Sequence, residues 1–521
     1  MLWREPSLHF KQRKNSLTNT LYEALFAPHA SNQSTFLKCD DGVEQSYADF
    51  LKRVAQLANT IVAVGLAPGD RVVVQAPKTR ETLALYAAAV QAGGVYLPLN
   101  NAYTFDEVSY FVADARPTVI VCDPKNEAEL SGLAQQHGAA LLTLGLFGGS
   151  LSKMADQQPK EFATIPRGED DLAALLYTSG TTGRSKGAML SHKNLLSNAQ
   201  ALKGLWRISK EDRLVHALPI FHTHGLFVAL NTSLLAGTRV RLIEKFDVEL
   251  LLVEIAKSTL LMGVPTFYTR LLASSEFTGE LCKNMRLFIS GSAPLLAETH
   301  QAFEARTGHR ILERYGMTET NMITSNPYDG GRIAGTVGYA LPSIEVKITD
   351  ADSGATLGDG EIGIIEVRGD NVFQGYWNMP EKTAEEMRED GFFITGDLGV
   401  KEADGRVSIV GRAKDLIIAG GYNIYPKEIE DVLDDLDGID ESAVFGVPHP
   451  DFGESVIAAI VPFGDELDID QIKADLDEKL ARFKRPGEYF VLEKLPRNTL
   501  GKLQKNTLRE MYAAKSRVFG F

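Results

Sequence analysis

The chain has 521 residues and a mass of 57.0 kDa, and its 54 Lys and Arg against 68 Asp and Glu give a formal net charge of −14. A nucleic-acid-binding protein needs a clustered basic surface, so this acidic balance disfavours a nucleic-acid partner. The composition, with 44% apolar and 23% charged residues, is that of a folded globular protein, and ~150 residues per domain predicts roughly three units.

Cysteine usage and hydropathy bear on the compartment. Cys39, Cys122 and Cys282 are widely spaced and form no C-x-x-C pair, a pattern typical of a reducing compartment. The most apolar stretch, 83–99, is interrupted by a glutamine, two glycines and a proline, which argues against a membrane partner or span. We therefore expect a cytoplasmic protein. Four basic residues among the first fourteen predict a loose N-terminal arm, with mitochondrial import as the alternative.

Up to about residue 242, apolar β-type runs alternate with helical periodicity. Residues 71–76 and 118–122 are short β-branched runs typical of buried strands, and residues 81–91 have the pattern of a helix. Such alternation is typical of a mostly parallel sheet covered by helices. The predicted fold class is therefore α/β, with layered sheets in a large N-terminal domain.

The pattern changes near residue 335. Residues 344–349 alternate with period two, and 363–367 and 407–410 follow as further strands separated by Asp-Gly turns, which predicts an antiparallel β subdomain over about 335–411. The remaining ~110 residues contain a strand and a helix of their own, enough for a small α+β domain. We predict a large domain over 1–411 and a small, mobile C-terminal domain over 412–521.

A glycine- and hydroxyl-rich segment follows the apolar run 172–176. In this segment, 177–187, backbone N–H groups and hydroxyls can turn onto phosphate oxygens while Lys186 supplies positive charge. Because Ser185 precedes the lysine and Gly187 follows it, the segment does not fit the P-loop pattern G-x-x-x-x-G-K-[ST]. Taken alone, a segment of this composition is more often a plain surface loop, so its assignment to phosphates depends on the motifs that follow it.

Four further motifs follow in the order seen in adenylate-forming enzymes. They are Arg314-Tyr315-Gly316-Met317-Thr318-Glu319, Thr395-Gly396-Asp397-Leu398, Gly411-Arg412-Ala413-Lys414-Asp415 and Pro496-Arg497-Asn498-Thr499-Leu500-Gly501-Lys502. From about residue 20 onward the chain resembles this superfamily of acyl-CoA synthetases, peptide-synthetase adenylation domains and luciferases. The resemblance implies an AMP-forming acid–thiol ligase, which joins a carboxylate to ATP, releases pyrophosphate and then exchanges AMP for the thiol of CoA.

The resemblance also implies a nucleotide site. The residues that would hold the β- and γ-phosphates are Thr178, Ser179, Gly180, Thr181, Thr182 and Lys186. Those that would surround the adenine are Ser292, Ala293, Pro294, Tyr315, Gly316 and Thr318, with Tyr315 stacked on the purine. Asp397 would accept both ribose hydroxyls, because a carboxylate is an acceptor only, with Arg412 beside it. Glu319 would help to hold Mg²⁺, which prefers carboxylate and phosphate oxygens. The alternatives are a core aromatic for Tyr315 and a surface ion pair for Asp397 and Arg412.

In this family the small domain supplies the lysine of the first step. A Lys502 ammonium between the acyl oxygen and the α-phosphate would stabilise the negative charge that develops as the carboxylate attacks. Lys505 is the alternative, and the Gly-Lys order favours Lys502. The resemblance further implies that the small domain rotates about Lys414 between the half-reactions and then presents Gly420 and Gly421 to the CoA side. A simple turn explains these two glycines equally well.

The acyl pocket is expected near residues 221–225, 262–270 and 288–291. A guanidinium matches a carboxylate bidentately, so we expect Arg270 to face this pocket and bind a second substrate carboxylate, with a hydroxyl from Ser290. An exposed helix position is the alternative for Arg270. Residues 264–268 and 312–322 resemble malonyl-CoA synthetases in particular, so malonate is the expected acid. Methylmalonate or another short or medium-length carboxylic acid is the alternative.

Candidate catalytic residues in this assignment are Lys502, His222, Thr178 and Glu319, with His222 in the wall of the acyl site. One competing interpretation treats His222-x-His224 as metal ligands of a hydrolase, but no matching Asp/His cluster follows. Another is a non-catalytic nucleotide-binding relative, which would lack Lys502 or Glu319. The expected small-molecule partners are ATP, Mg²⁺, CoA and malonate, and both a monomer and a homodimer are consistent with the sequence.

Overall fold

The computed structural model describes residues 18–178, 185–419, 422–449, 453–464, 467–498 and 501–519. Several predicted features lie outside the described residues: the basic N-terminal arm, Ser179, Gly180, Thr181, Thr182, Gly420 and Gly421. Their proposed roles stay predictions.

Strands occur along the whole described chain. The first are β1 (Thr35–Lys38), β2 (Glu44–Ser46), β3 (Arg71–Gln75), β4 (Val95–Pro98), β5 (Val119–Cys122), β6 (Ala140–Thr143), β7 (Leu172–Thr178) and β8 (Lys186–Ser191). Next come β9 (Arg213–His216), β10 (Arg239–Leu242), β11 (Leu260–Gly263), β12 (Leu287–Ser290), β13 (Leu312–Met317), β14 (Asn321–Ser325) and β15 (Tyr339–Ala340). The last are β16 (Ile344–Thr349), β17 (Ile362–Gly369), β18 (Phe393–Lys401), β19 (Val407–Arg412), β20 (Ile417–Ala419), β21 (Tyr422–Ile424), β22 (Ile439–His449), β23 (Gly453–Pro462) and β24 (Glu488–Val491).

The described strands form four sheets. A six-stranded sheet has the order β6-β5-β3-β4-β7-β8 and is parallel except for the final hairpin. A nine-stranded sheet, β15-β14-β13-β12-β11-β9-β10-β1-β2, is parallel from β13 to β1. The third sheet, β16-β17-β18-β19, is antiparallel. The fourth has the order β21-β20-β23-β22, with β24 parallel to β23. The predicted α/β class with an added β subdomain and a small α+β part is confirmed.

Helices cover these sheets. They are α1 (Thr20–Leu25), α2 (Tyr47–Ala63), α3 (Arg80–Gln91), α4 (Phe105–Ala115), α5 (Glu127–His137), α6 (Ser150–Ala155), α7 (His192–Leu205), α8 (Thr232–Ala236), α9 (Val248–Ile255), α10 (Pro265–Leu272), α11 (Ala297–Thr307), α12 (Pro380–Glu386), α13 (Pro426–Asp434), α14 (Ile469–Lys479) and α15 (Lys505–Phe519). Local sequence sets several of their starts: the Ser46 hydroxyl caps α2, and Ser191 with Asn194 forms a capping box at α7. None of the described helices is long and apolar enough to cross a bilayer.

Helix α3 joins the two large sheets. The ring of Tyr86 lies 5.3 Å from that of Tyr96 in the six-stranded sheet and 5.8 Å from that of Phe227, which follows β9. The Tyr86 hydroxyl also donates to the Asn231 side chain. Aromatic contacts of this kind contribute beyond the area they bury, so the helix fixes one sheet against the other. The boundary predicted between 411 and 412 stays a prediction; the third sheet ends at Arg412 and the fourth begins at Ile417.

Candidate active site

The parallel strands β9, β11, β12 and β13 are neighbours in the nine-stranded sheet, and their carboxyl ends meet at one edge. His216, Gly263 and Ser290 are the last residues of the first three strands, and Arg314 and Tyr315 lie in the fourth. Ligands of open α/β sheets bind at this edge. Most of the residues predicted for the acyl and adenine subsites are therefore carried to one place by the topology alone.

Arg314 is a buried cation without a counter-ion among the described residues. It is 3% exposed, and its Nε and Nη2 atoms make no hydrogen bond. Burial lowers the pKa of Arg314 from 12.5 to about 9, so the guanidinium stays charged at neutral pH. It lies against Gly291, where an added Cβ would stand 2.4 Å from the Arg314 Cζ. A buried, unpaired cation is costly, so this position is suited to an anionic ligand.

Other polar atoms around Arg314 also lack partners. The Ser290 hydroxyl is fully buried and unpaired, and it lies on β12 beside β13. His224 Nε2 and Asn321 Nδ2 are likewise buried without a hydrogen bond. Native proteins pair almost all buried polar groups, so a concentration of unpaired ones marks a place where a polar ligand binds. The contact of Ser290 with a substrate carboxylate stays a prediction.

The histidines after β9 are neutral and hydrogen-bonded, and His224 begins a π-helix, His224–Asn231. His224 Nδ1 lies 3.2 Å from the Ser292 hydroxyl, and the His224 N–H donates to His222 Nδ1. Burial, with the nearby Lys502 charge, lowers the pKa of His222 to about 3, and burial also lowers that of His216 to about 3. Within the described ranges no cluster of three or more His, Cys, Asp or Glu has a metal-binding arrangement. The hydrolase interpretation thus gains no support.

Arg270 lies apart from this cluster. It is exposed on α10, and its guanidinium stacks over the Phe246 ring at 5.6 Å. The helix turns Phe267, Tyr268 and Leu271 inward, which leaves Arg270 on the outer side. In this structure Arg270 therefore lies outside the buried polar cluster that contains Arg314, and its contact with a substrate carboxylate stays a prediction.

Asp397 links the predicted adenine and ribose residues. Its Oδ2 accepts from the Tyr315 hydroxyl at 2.5 Å, and its Oδ1 pairs with Arg412 Nε at 2.7 Å. The ion pair forms because Asp397 and Arg412 are register partners on β18 and β19. Burial, followed by the Asp397 charge, raises the pKa of Tyr315, so its hydroxyl remains a donor. The structure brings these three residues together, and their contacts with a nucleotide stay predictions.

The remaining adenine candidates follow β12 or belong to the segment around β13. Ser292 has a φ of 72°, in the left-handed region, and is half-buried like Ala293 and Thr318, whereas Pro294 is exposed. Gly316 permits a very close approach, since an added Cβ would stand 1.8 Å from the Asn321 carbonyl oxygen.

The two described ends of the predicted phosphate segment belong to paired antiparallel strands. Thr178 closes β7 and is paired with Lys186, the first residue of β8. The Lys186 Nζ atom lies 3.0 Å from Glu386 Oε1 and 4.1 Å from the Tyr376 ring centroid. The Tyr376 hydroxyl in turn contacts Glu319 at 3.0 Å and Glu386 at 2.6 Å. Burial raises the pKa of Glu319, and the Tyr376 hydroxyl and the nearby Lys186 charge oppose part of that rise.

The two candidate lysines of the C-terminal part have different surroundings. Lys505 is held inside this part by Glu430 at 2.6 Å and by the Val444 carbonyl oxygen at 2.8 Å. Lys502 is half-buried near Arg412, Asp397, Glu319 and Arg314, and burial, followed by the Arg412 charge, lowers its pKa. The role of Lys502 in the first step stays a prediction. Lys414 is exposed in the single turn that joins the third and fourth sheets.

Sequence reasoning missed three residues of this site. Arg314 carries no decisive signal in the sequence, because it stands beside another charged residue, Glu313, and the burial of β13 is visible only in the structure. Tyr376 and Glu386 have none either, since residues 370–379 and the short helix α12 matched no motif.

Comparisons with known proteins place the chain in a family. The chain matches the family model described as AMP-binding enzyme over residues 26–377, and its C-terminal domain model over residues 428–502. A feruloyl-CoA synthase from Amycolatopsis sp is 36% identical over 478 residues, which cover 90% of this chain and 94% of that protein. A malonate–CoA ligase from Arabidopsis thaliana is 34% identical over 481 residues, covering 86% and 78%.

A solved structure resembles this one in detail. ATP-bound MatB from Rhodopseudomonas palustris superposes with a TM-score of 0.94 at 54% identity, covering 95% of this chain and 99% of that one. The apo form of MatB gives 0.84. The chain belongs to the AMP-binding enzyme family, which confirms the resemblance drawn from its motifs. It is an adenylate-forming, AMP-forming acid–CoA ligase that uses ATP and CoA.

Proposed function

We propose that this enzyme ligates malonate to CoA through a malonyl-adenylate. The observation that carries the proposal is the buried, unpaired Arg314 beside the unpaired Ser290 hydroxyl. A monocarboxylic acid or an aryl acid would leave this cation without a counter-ion, whereas the second carboxylate of malonate supplies one. The malonate–CoA ligases of Arabidopsis thaliana and mouse, each 34% identical, support the same substrate.

In the proposed first step a malonate carboxylate oxygen attacks the α-phosphorus of ATP, and pyrophosphate leaves. Lys502 is half-buried near Asp397, Glu319 and Arg314, and its ammonium stabilises the negative charge that develops on the α-phosphate. Neutral His222 lines the acyl side without adding charge. Asp397 and Tyr315 hold the ribose and the adenine, and Thr178 with Lys186 holds the terminal phosphates.

Glu319 is the residue that would hold Mg²⁺. Its carboxylate is 4% exposed, and the raised pKa indicates an environment that favours a bound cation over a free charge. Mg²⁺ keeps several oxygen ligands besides protein carboxylates, so one buried glutamate together with phosphate oxygens suits it. When bound, the metal neutralises phosphate charge.

In the proposed second step the CoA thiolate attacks the malonyl carbonyl carbon and AMP leaves. We place the division between the large and small domains at 411/412, with Lys414 as the pivot of the rotation that separates the steps. The turn 413–415 is a short connection between two sheets, which suits a hinge.

Pyrophosphate release tests the proposal when it is measured over malonate, methylmalonate, succinate, propionate, butyrate and ferulate. We expect malonate to have the highest kcat/KM, and methylmalonate to follow because it keeps both carboxylates. Faster turnover of any monocarboxylic acid would contradict the proposed substrate but not the ligase class.

A further inference from the structure

The cation predicted to meet the terminal phosphates has a fixed partner on another element. Lys186 Nζ lies 3.0 Å from Glu386 Oε1 and 3.4 Å from Oε2, so the carboxylate engages it with both oxygens. Its ammonium also lies over the Tyr376 ring at 4.1 Å. The two side chains of the ion pair are only 18% and 22% exposed, which weakens solvent screening.

Glu386 is itself held in place. Its Oε2 accepts from the Tyr376 hydroxyl at 2.6 Å, and its Oε1 lies 3.1 Å from Lys382 Nζ on the preceding turn of α12. The segment before α12 pairs with the base of the phosphate hairpin: the Gln374 N–H donates to the Met189 carbonyl, and the Trp377 N–H donates to the Gly187 carbonyl. Backbone and side-chain contacts thus fix the partner of Lys186 relative to the strand that carries Lys186.

We propose that Glu386 is a positioning residue for adenylation, which holds the Lys186 ammonium in place at the start of β8 before ATP binds. A free lysine side chain gives up rotamer freedom when it captures a phosphate. Here two contacts have already restricted Nζ. An ammonium has three hydrogens, and the carboxylate does not occupy all of them, so Lys186 retains a donor for a phosphate oxygen. The inference rests on the assignment of Lys186 to the phosphates.

As proposed, Glu386 acts through Lys186 and affects only the ATP-dependent half-reaction. Its removal should raise KM for MgATP about tenfold, as expected for the loss of a preorganised charged contact. The KM for the acid and the conversion of supplied acyl-adenylate to thioester should change less than about twofold, because the terminal phosphates have left by that step. A rival route runs through Tyr376 to Glu319 and bypasses Lys186.

A double-mutant cycle separates these routes. We would measure KM for MgATP in the parent, E386A, K186A and E386A/K186A, using the best acid of the parent enzyme. Glu385→Ala is the matched control, since Glu385 is on the same helix, is 65% exposed and pairs only with Lys382 in the described structure. E386Q should be intermediate, because glutamine keeps an acceptor and loses the charge. Thermal midpoints and thioester formation from supplied acyl-adenylate report on folding.

We expect E386A to raise KM for MgATP in the parent background and to add nothing in the K186A background, with E385A like the parent. An equal effect of E386A in both backgrounds would overturn the proposal and favour the route through Tyr376. A lower KM in E386A would also overturn it, since Glu386 would then compete with phosphate. If K186A itself leaves KM for MgATP unchanged, the assignment of Lys186 fails instead.

Discussion

Replacement of Arg314 by methionine tests the acyl site most sharply, because methionine keeps much of the volume and removes the charge. Burial lowers the pKa of Arg314 from 12.5 to about 9. Such a shift corresponds to about 5 kcal/mol spent on keeping the guanidinium charged in the ligand-free enzyme. In the parent enzyme a carboxylate ligand offsets this cost by pairing with the guanidinium. R314M has no buried charge at this position, so a carboxylate gains nothing by binding there.

Two opposite effects follow for R314M. Truncating one member of a buried charge pair costs about 2–5 kcal/mol, so kcat/KM for malonate should fall about 30-fold or more, and up to several thousand-fold. The ligand-free protein should become more stable, by about 1–4 kcal/mol, because an unpaired buried charge has been removed. The specificity ratio between malonate and butyrate should fall together with malonate turnover.

The assays are pyrophosphate release with both acids and thermal unfolding with and without malonate. Malonate should raise the midpoint of the parent more than that of R314M. Arg310→Met is the matched control, because Arg310 is a half-exposed surface residue paired with Glu304. R270M distinguishes the two arginines and should leave malonate specificity intact. An equal loss with malonate and butyrate, or a lower stability of ligand-free R314M, would refute the reasoning.

Two further predictions concern the lysines and the buried histidines. K502A should lose adenylation activity by about a thousandfold while still converting supplied malonyl-adenylate to thioester. K505M should lower the thermal midpoint and keep both half-reactions. An equal loss of both half-reactions in K502A would contradict the role of Lys502. His216 and His222 have folded pKa values of about 3, below the ordinary value, so the unfolded state binds more protons as the pH falls below about 6.5. Their contribution to stability is complete above pH ~6.5 and should be lost toward pH 4, at up to ~1.4 kcal/mol per pH unit for each histidine. Urea unfolding at pH 7.5, 6.0 and 5.0 measures this loss of stability. The free energy of unfolding of H216N should depend less steeply on pH than that of the parent. A parent whose free energy of unfolding does not change with pH would count against buried neutral histidines.

Much of the fold follows from local patterns. The strand predicted at 71–76 is β3, the helix predicted at 81–91 is α3, and the period-two run 344–349 is β16. These segments have strong periodicity and clear ends, so local propensity and tertiary packing agree. The change of texture near residue 335 also marked the antiparallel sheet correctly.

The acyl site was harder to predict, because it depends on which way a side chain faces. Arg270 and Arg314 are both arginines in motif segments, and the sequence does not tell which one is inside. Burial is decided by tertiary packing: α10 turns Phe267 and Tyr268 inward, whereas β13 is covered on both sides. Glu386 could not be found at all, since its contact with Lys186 spans 200 residues of sequence.

The central claim is that this ligase acts on malonate. The most direct test incubates the full chain with MgATP and CoA in an equimolar mixture of malonate, propionate, butyrate and ferulate, and quantifies the thioesters by mass spectrometry at early times. We predict malonyl-CoA as the dominant product, with the other thioesters together below about a tenth of it, because only malonate pairs the Arg314 cation. Butyryl-CoA, propionyl-CoA or feruloyl-CoA as the main product would contradict the claim.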